Sequence, residues 1–402
     1  MKVAVINCGS SSIKYEVFEL PDLVMLATGL IEKIGESEGR LRQRRRKEDG
    51  TFEQRVYSKR LADHGEGFDF MAHVNREHGI IQDESELFGI GHRVVHGGEP
   101  FREPMLIDDE VTAAIRRLIP LAPLHNPSNL LGIEIARERF PGVPQVAVFD
   151  TAFHQTLPPH AFHYATPHRW YSEHQVRRYG FHGTSHHYVS KEAARYLGKS
   201  PESTNLITLH LGNGASATAV QRGLSIDTSM GLTPLEGLIM GARSGDIDPA
   251  LHFFMMRETG MSADELEKSL NSQSGIKGIC GLNDMREIID QAARGNDRAK
   301  LAIEMFCYRI KKYIGAYVAV LGSVDAIVFT GGIGENSSVI RERACEGLEH
   351  LGIAIDRAKN EAAVGSIAGI QKDGTSVRVL VVRTDEEREI AQQTIRSIEK
   401  AK

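Results

Sequence analysis

The chain has 402 residues, is 41% hydrophobic and 25% charged, and carries a formal net charge of −5. That length suffices for two sizeable domains, and the weak negative charge excludes a global basic field that would draw the chain to nucleic acid or a membrane surface. The four cysteines (Cys8, Cys280, Cys307 and Cys345) are scattered without a Cys-x-x-Cys pair, which excludes a disulfide frame or zinc site and fits reduced thiols in a cytoplasm.

In chain order, strands and helices alternate. The N-terminus enters a strand directly over 2–7, with no signal-peptide pattern. A small polar turn follows, then a second strand over 12–20. The basic run Arg42–Lys47 ends in Glu48-Asp49-Gly50 without interleaved aromatics, so it reads as a solvated hairpin tip. Segment 36–75 is expected to be a peripheral hairpin and helix. A strand over 89–95 precedes a helix over 127–140, for which Asn126 is the N-cap and Pro127 the first helical residue. A strand over 145–150 ends at Asp150. Thr184 caps a helix over 184–197, with Gly198 beyond its end. A second glycine-punctuated hairpin joins strands 206–211 and 215–220. Helix 299–321 carries an apolar stripe through Leu301, Met305, Ile310, Ile314, Tyr317 and Leu321. A strand over 325–330 leads through Gly331–Asn336 to a helix over 337–351 capped by Ser337. A strand over 377–383 and a helix over 386–400 close the chain. The domain change is expected near Asp150, giving a first domain of 1–150 plus about 386–402 and a second of 151–385. No apolar run reaches a membrane span.

The two hairpins, Val3–Phe18 and Leu206–Val220, are the informative pair. Each exposes backbone N–H groups and small polar side chains, the donors that phosphate oxygens need. Ser10, Ser12 and Lys14 belong to the first; His210, Leu211, Gly212, Asn213 and Gly214 belong to the second. A Walker-type loop would end in Gly-Lys-Ser/Thr, and a Rossmann turn would run into a helix; neither occurs. Duplicated strand–turn–strand phosphate loops resemble the actin/Hsp70/sugar-kinase superfamily, which implies an α/β fold of two duplicated actin-like, ribonuclease H-like domains with a cleft between them.

Other residues add chemistry. Gly331, Gly332 and Gly334, with Ile333 and Glu335, would let backbone approach a flat ring or ribose at a helix N-terminus. Asp284, Met285 and Arg286 read equally as a nucleoside contact or a helix cap. Arg93 stands inside an apolar strand and requires either a buried partner or a ligand. Arg243 sits in a turn with Asp246 and Asp248, and reads as an anion ligand or a structural pair. Eight histidines crowd 154–187 without a His-x-x-x-His and acid on one helix, so no metal site is assigned to them. His182 precedes a helix in a glycine-flanked loop, a good place to meet an anion.

Over essentially its whole length the chain resembles the acetate kinase family. The matching runs are Asn7–Lys14, His92–Gly98, Leu124–Pro127, Val148–His154, Phe181–His186, His210–Gly214, Asp227–Pro249, Gly331–Asn336 and Thr384–Glu387. The resemblance implies reversible transfer of the ATP γ-phosphoryl group to acetate, giving acetyl phosphate and ADP. It implies that Asn7 and Glu386 hold Mg²⁺, with Mn²⁺ as a substitute, and that Lys14 assists at the phosphates. His210, Asn213 and the neighbouring glycines would cradle phosphate, while Asp284, Arg286 and Gly331–Glu335 take the nucleoside. Arg93 and Arg243 would bind the carboxylate and transferring group, His182 would stabilise the transition state, and Asp150 would be the catalytic acid. Val95, Leu124, Phe181 and Pro234 would line the methyl pocket. A homodimer through the second domain is also implied; neither nucleic acid nor membrane is expected as a partner, on the charge and hydropathy above.

Physical chemistry refines one role. Acetate is already ionised at neutral pH, so no base is needed to activate it; Asp150 is expected to order magnesium-bound water and Arg93 or Arg243. Arg388 stands where the family usually has leucine, suggesting a more exposed last helix. Two alternatives stay open. A propionate or butyrate kinase differs by one or two methylenes, worth only about 1–3 kcal/mol in an apolar pocket. A non-enzymatic actin- or Hsp70-like ATPase switch would carry an additional peptide-binding or polymer-forming region.

Overall fold

A computed structural model describes residues 1–402. Contacts divide the chain into two compact units, Met1–Ala152 with Asp385–Lys402, and Phe153–Thr384.

The first unit is built on a mixed eight-stranded sheet. Its strands are β1 (Lys2–Gly9), β2 (Ser12–Glu19), β3 (Val24–Glu32), β4 (Gly39–Arg46), β5 (Phe52–Lys59), β6 (Leu87–Val94), β7 (Met105–Leu106) and β8 (Gln145–Phe149). The order is β5-β4-β3-β2-β1-β6-β8-β7. β1, β2 and β3 are antiparallel neighbours, whereas β1, β6 and β8 run parallel. β1 and β8 are buried almost throughout, the pattern of parallel strands covered on both faces.

The second unit has a six-stranded sheet of β9 (Asn205–Leu211), β10 (Ala215–Gln221), β11 (Leu224–Thr228), β12 (Ala326–Thr330), β13 (Ile367–Gly369) and β14 (Arg378–Val382). Its order is β11-β10-β9-β12-β14-β13. The antiparallel trio β11-β10-β9 and the parallel trio β9-β12-β14 repeat the arrangement β3-β2-β1 and β1-β6-β8. The duplication is therefore topological: one five-strand plan, used twice, with different edge strands added. This is the expected duplicated actin-like α/β architecture.

Several local expectations need correction. The basic run lies mainly in β4 and not at a tip. Alternate residues Leu41 and Gln43 point inward, so Arg40, Arg42 and Arg44 stay in solvent, and Arg42 and Arg45 pair with Glu32 and Glu53. Asn126 is not a cap. It is the first residue of helix Asn126–Arg139, and its buried amide accepts from His96 N and donates to His96 O. His182, not Thr184, holds the cap position of helix Gly183–Tyr196. The helix expected over 337–351 stops at Cys345, because Gly347 adopts a φ of +77°. On the long helix Asp297–Leu321, Leu301 and Met305 face outward, and Ile303, Phe306 and Cys307 fill the core instead.

The last helix, Glu386–Lys400, packs over β6, β8 and β1 of the first unit. Gly89 and Gly91 make room for it: a side chain at either would collide with Ile390, Thr394 or Ile398. Arg388 does not loosen this helix. Its guanidinium donates to Leu23 O and Asp22 O at 3.2 and 3.3 Å, fastening the first turn to the β2–β3 connection.

Candidate active site

In the first unit, the β1–β2 turn is pinned from beneath. Asn129 Nδ2 donates to Cys8 O at 2.8 Å and His64 Nε2 to Gly9 O at 2.8 Å. Cys8 is a buried packing residue; burial pushes its thiol up to about 12. Asn7 and Lys14 are directly opposite in the antiparallel register, so their side chains share a face. Lys14 Nζ pairs with Glu387. Ser10 lies in the exposed turn and Ser12 opens β2.

Arg93, near the end of β6, has the buried partner its setting demanded. Its Nε lies 3.1 and 3.2 Å from the two oxygens of Asp150, and Nη2 lies 2.6 Å from Oδ2. Asp150 follows β8 directly and its side chain is 2% exposed. Burial disfavours the Arg93 cation, but Asp150, Glu386 and Glu387 outweigh that and raise its pKa. Glu386, at the start of the last helix, is the counterpart. Burial, then the neighbouring Asp150 and Glu387 charges, push its carboxyl up to about 7 against the pull of Arg93 and Lys14. Lys14, Arg93, Asp150 and Glu386 thus form one electrostatic cluster. Val95 is buried beside it in sequence, its N–H donating to Asn129 Oδ1 at 3.0 Å, whereas Leu124 is 71% exposed.

The sequence reading missed three acids here. Oxygens of Glu16, Asp385 and Glu387 all lie within 4.8 Å of one another, and burial followed by the Glu387 charge pushes Glu16 up to about 7. The Thr384–Glu387 run was visible, but only Glu386 was singled out from it. The oxygens of this trio suit a hard divalent cation, and such an ion would offset the carboxylate repulsion that adds to burial in raising Glu16.

In the second unit, the β9–β10 turn is a tight loop: Gly212 N donates to Gly214 O at 2.9 Å, and Gly241 N donates to Asn213 O at 2.9 Å. His210 is the last but one residue of β9, and its ring stacks on His182 with centroids 4.3 Å apart. A Cβ built on Gly214 would lie 3.3 Å from His182 Nε2 and 3.9 Å from Arg243 Nη1. Both side chains therefore converge on the backbone of the glycine turn, and a side chain at Gly214 would crowd the His182 ring. Phe181 is buried just before His182, and Pro234 lies on the loop leading to Arg243.

Arg243 is not the structural pair its aspartates suggested. Asp246 receives Gly237 N at 2.7 Å and Tyr313 Oη at 2.8 Å, and Asp248 receives Ala250 N at 2.8 Å. Arg243 is left with a 3.4 Å contact to Pro234 O and a 4.0 Å contact to Met240 Sδ. Partial burial without a carboxylate lowers its pKa, so no internal carboxylate pairs with the Arg243 guanidinium.

The nucleoside candidates divide. Gly331 has a φ of +76°, and a side chain there would come within 2.8 Å of Leu211 O. Gly331–Asn336 is a short helix and not a loop; Ser337 caps the next helix. Glu335 spends its carboxylate on Gly331 N and Thr384 N, both at 3.0 Å, which ties the glycine turn to the end of β14. Asp284 is an N-cap, receiving Arg286 N at 2.9 Å and the Arg286 guanidinium at 2.7 Å, so the capping role is present. Met285 is buried and Arg286 extends into solvent.

The chain matches the model of the acetokinase family over residues 2–392. It is 58% identical over 402 residues to the acetate kinase of Syntrophobacter fumaroxidans, spanning 100% of this chain and 98% of that protein. It superposes on the crystal structure of Porphyromonas gingivalis acetate kinase with a TM-score of 0.93 at 46% identity, covering 99% of each chain. A propionate kinase from Francisella tularensis gives a TM-score of 0.91 at 43% identity over 98% of each chain. With a whole-length family match and relatives above half identity, the chain belongs to the acetokinase family.

Proposed function

We propose that this chain transfers the γ-phosphoryl group of ATP to acetate, reversibly, giving acetyl phosphate and ADP by direct in-line attack. Both reactants are anions, so the barrier is largely one of charge and alignment. The observation that carries the reading is Arg243: a half-buried guanidinium without a carboxylate, converging with His182 on an open glycine turn. Arg243 and Arg93 neutralise the acetate carboxylate and the transferring group, and His182 donates to an equatorial phosphoryl oxygen. His210, Asn213 and Gly212–Gly214 take the phosphates with Ser10, Ser12 and Lys14. Asp284, Arg286 and Gly331–Glu335 take the nucleoside, and Val95, Leu124, Phe181 and Pro234 contact the methyl group.

Asp150 removes no proton in this reading. Its carboxylate is committed to Arg93, and an ionised acetate offers no proton to take. Asn7 and Glu386 would hold Mg²⁺, with Glu16, Asp385 and Glu387 as neighbouring acids. When bound, the ion supplies charge neutralisation for the phosphate oxygens.

A homodimer through the second unit is part of the proposal. Helix Ala250–Thr259 buries none of its residues within the chain, and Phe253 and Phe254 are 63% and 54% exposed. An apolar face of that kind suits a second copy. A cytoplasmic location is also part of the proposal, and the four free cysteines are compatible with it; no helix is long and apolar enough to cross a membrane.

The test is a hydroxamate trap with ATP, Mg²⁺ and acetate. Trapped acyl phosphate is the expected result; its absence from folded, nucleotide-binding protein overturns the proposal in favour of an ATPase switch. The similarity to a propionate kinase motivates one further comparison: kcat/KM is expected to fall from acetate to propionate to butyrate, and the reverse order would reassign the acyl substrate.

A further inference from the structure

His182 holds a backbone conformation that a non-glycine residue seldom adopts, with a φ of +56°. Such a conformation persists where neighbouring contacts over-determine it. The ring supplies two. One face stacks on His210, tilted by 25°, and Nδ1 lies 2.9 Å from Ser216 Oγ. Ser216 is fully buried on β10. Its hydroxyl oxygen also lies 2.7 Å from His186 Nε2, and His186 Nδ1 lies 2.7 Å from Thr208 Oγ1 on β9. His182, Ser216, His186 and Thr208 therefore form an unbroken hydrogen-bonded chain from the Gly214 side into the interior of the second sheet.

A hydroxyl has one proton to donate and lone pairs with which to accept. Between two imidazole nitrogens it donates to one and accepts from the other. His186 is fully buried beside the rings of His154 and His210, surroundings that keep it neutral, with a single ring proton. With that proton on Nε2, His186 donates to Ser216 and Ser216 donates to His182 Nδ1. A neutral His182 then carries its own proton on Nε2. When His182 is an imidazolium, its Nδ1–H donates to Ser216, Ser216 donates to His186 Nε2, and the His186 proton is on Nδ1 toward Thr208. The two arrangements differ by one proton on His182 and by the tautomer of His186. Each satisfies every link, and each leaves an N–H at His182 Nε2 on the Gly214 side.

We propose that Ser216 is a positioning residue for phosphoryl transfer: its hydroxyl, shared between His182 and His186, locks the His182 ring and lets it remain a hydrogen-bond donor at Nε2 whether neutral or charged. This rests on the reading that His182 acts on the transferring phosphoryl group.

The test compares Ser216→Ala, Ser216→Thr, His182→Ala and the Ser216→Ala/His182→Ala double variant in the hydroxamate assay. Ser216→Ala is expected to lower kcat by about ten- to a hundredfold, the range of one lost hydrogen bond to a charged group, with KM for ATP and acetate within about twofold. Ser216→Thr, which keeps the hydroxyl, is expected to recover most of that loss, and Ser216→Ala to add nothing to His182→Ala. Wild-type kcat in Ser216→Ala, or a full extra loss in the double variant, overturns the proposal while leaving the role of His182 intact. Wild-type kcat in His182→Ala overturns the underlying reading. Should Ser216→Ala not fold, ¹⁵N-histidine NMR of the unaltered chain decides. Adding ADP, Mg²⁺ and a planar phosphate mimic is expected to shift the ring nitrogens of His182 and His186 together; a His182 shift with His186 unmoved overturns the relay.

Discussion

Replacing Asp150 by asparagine isolates the charge on which Arg93 depends. The change keeps the shape and one acceptor but removes the negative charge from a side chain that is 2% exposed and bonded to Arg93 at 2.6 Å. Breaking a buried pair by neutralising one partner costs about 3–5 kcal/mol. Glu386 lies close enough to act on Arg93 and takes over part of that role, so the lower end, about 3 kcal/mol, applies. Expressed in the transition state, that is about a hundredfold in kcat. Acetyl phosphate formation is measured with acetate and with haloacetates of lower pKa. The loss is expected to be the same for every acid, because each is fully ionised and none needs a base. A near-total loss that varies systematically with acid strength would refute the positioning role and make Asp150 a general base. Wild-type turnover would remove it from the reaction altogether.

Three further outcomes follow from the same geometry. Arg243→Ala is expected to lower kcat by about a hundredfold or more while leaving the melting temperature of the ligand-free chain unchanged or higher, because it removes a half-buried cation with no internal carboxylate; an equal fall in melting temperature and kcat would make Arg243 structural. Glu386 and Glu16 sit near 7, above the ordinary 4.5, so their contribution to stability is fully present below about 4.5 and is lost as pH rises through 7. Glu386→Gln should therefore gain in melting temperature relative to the unaltered chain between pH 5.5 and pH 8 without Mg²⁺, and a constant difference would show that Glu386 titrates normally. Arg286→Ala removes an exposed side chain whose partner is Asp284; it should raise KM for ATP several-fold with no change in melting temperature, and an unchanged KM would remove Arg286 from the nucleotide site.

What was legible in the sequence was local and punctuated. The two hairpins could be read because strand alternation and glycine turns are short-range signals, and the parallel strands β6, β8, β12 and β14 stood out as apolar runs. β3 was not assigned because its residues do not alternate polar with apolar, although Ala27, Gly29 and Ile31 face inward, and β11 was not because it buries only Ser225 and Thr228. Arg93 was recognised as needing a partner, yet no sequence rule pairs it with a residue 57 positions away. The solitude of Arg243 was hidden for the opposite reason: two aspartates stand within five residues, and only the fold shows both committed elsewhere. Ser216 carried no signal at all, being one small residue in Ala215-Ser216-Ala217-Thr218, and its place between two imidazoles is set by tertiary packing.

The first unit is interrupted in sequence, beginning at Met1 and closing with Asp385–Lys402. On a ribosome, β1 through β8 emerge long before the helix that covers β6 and β8, and the bare glycine strip of Gly89 and Gly91 waits for its cover through more than two hundred residues of synthesis. The inserted unit is continuous and can complete its core first. The order of maturation is thus the reverse of the order of translation, and the carboxylates at 385–387 arrive together with the helix that finishes the earlier-made half, so the acid cluster is assembled last.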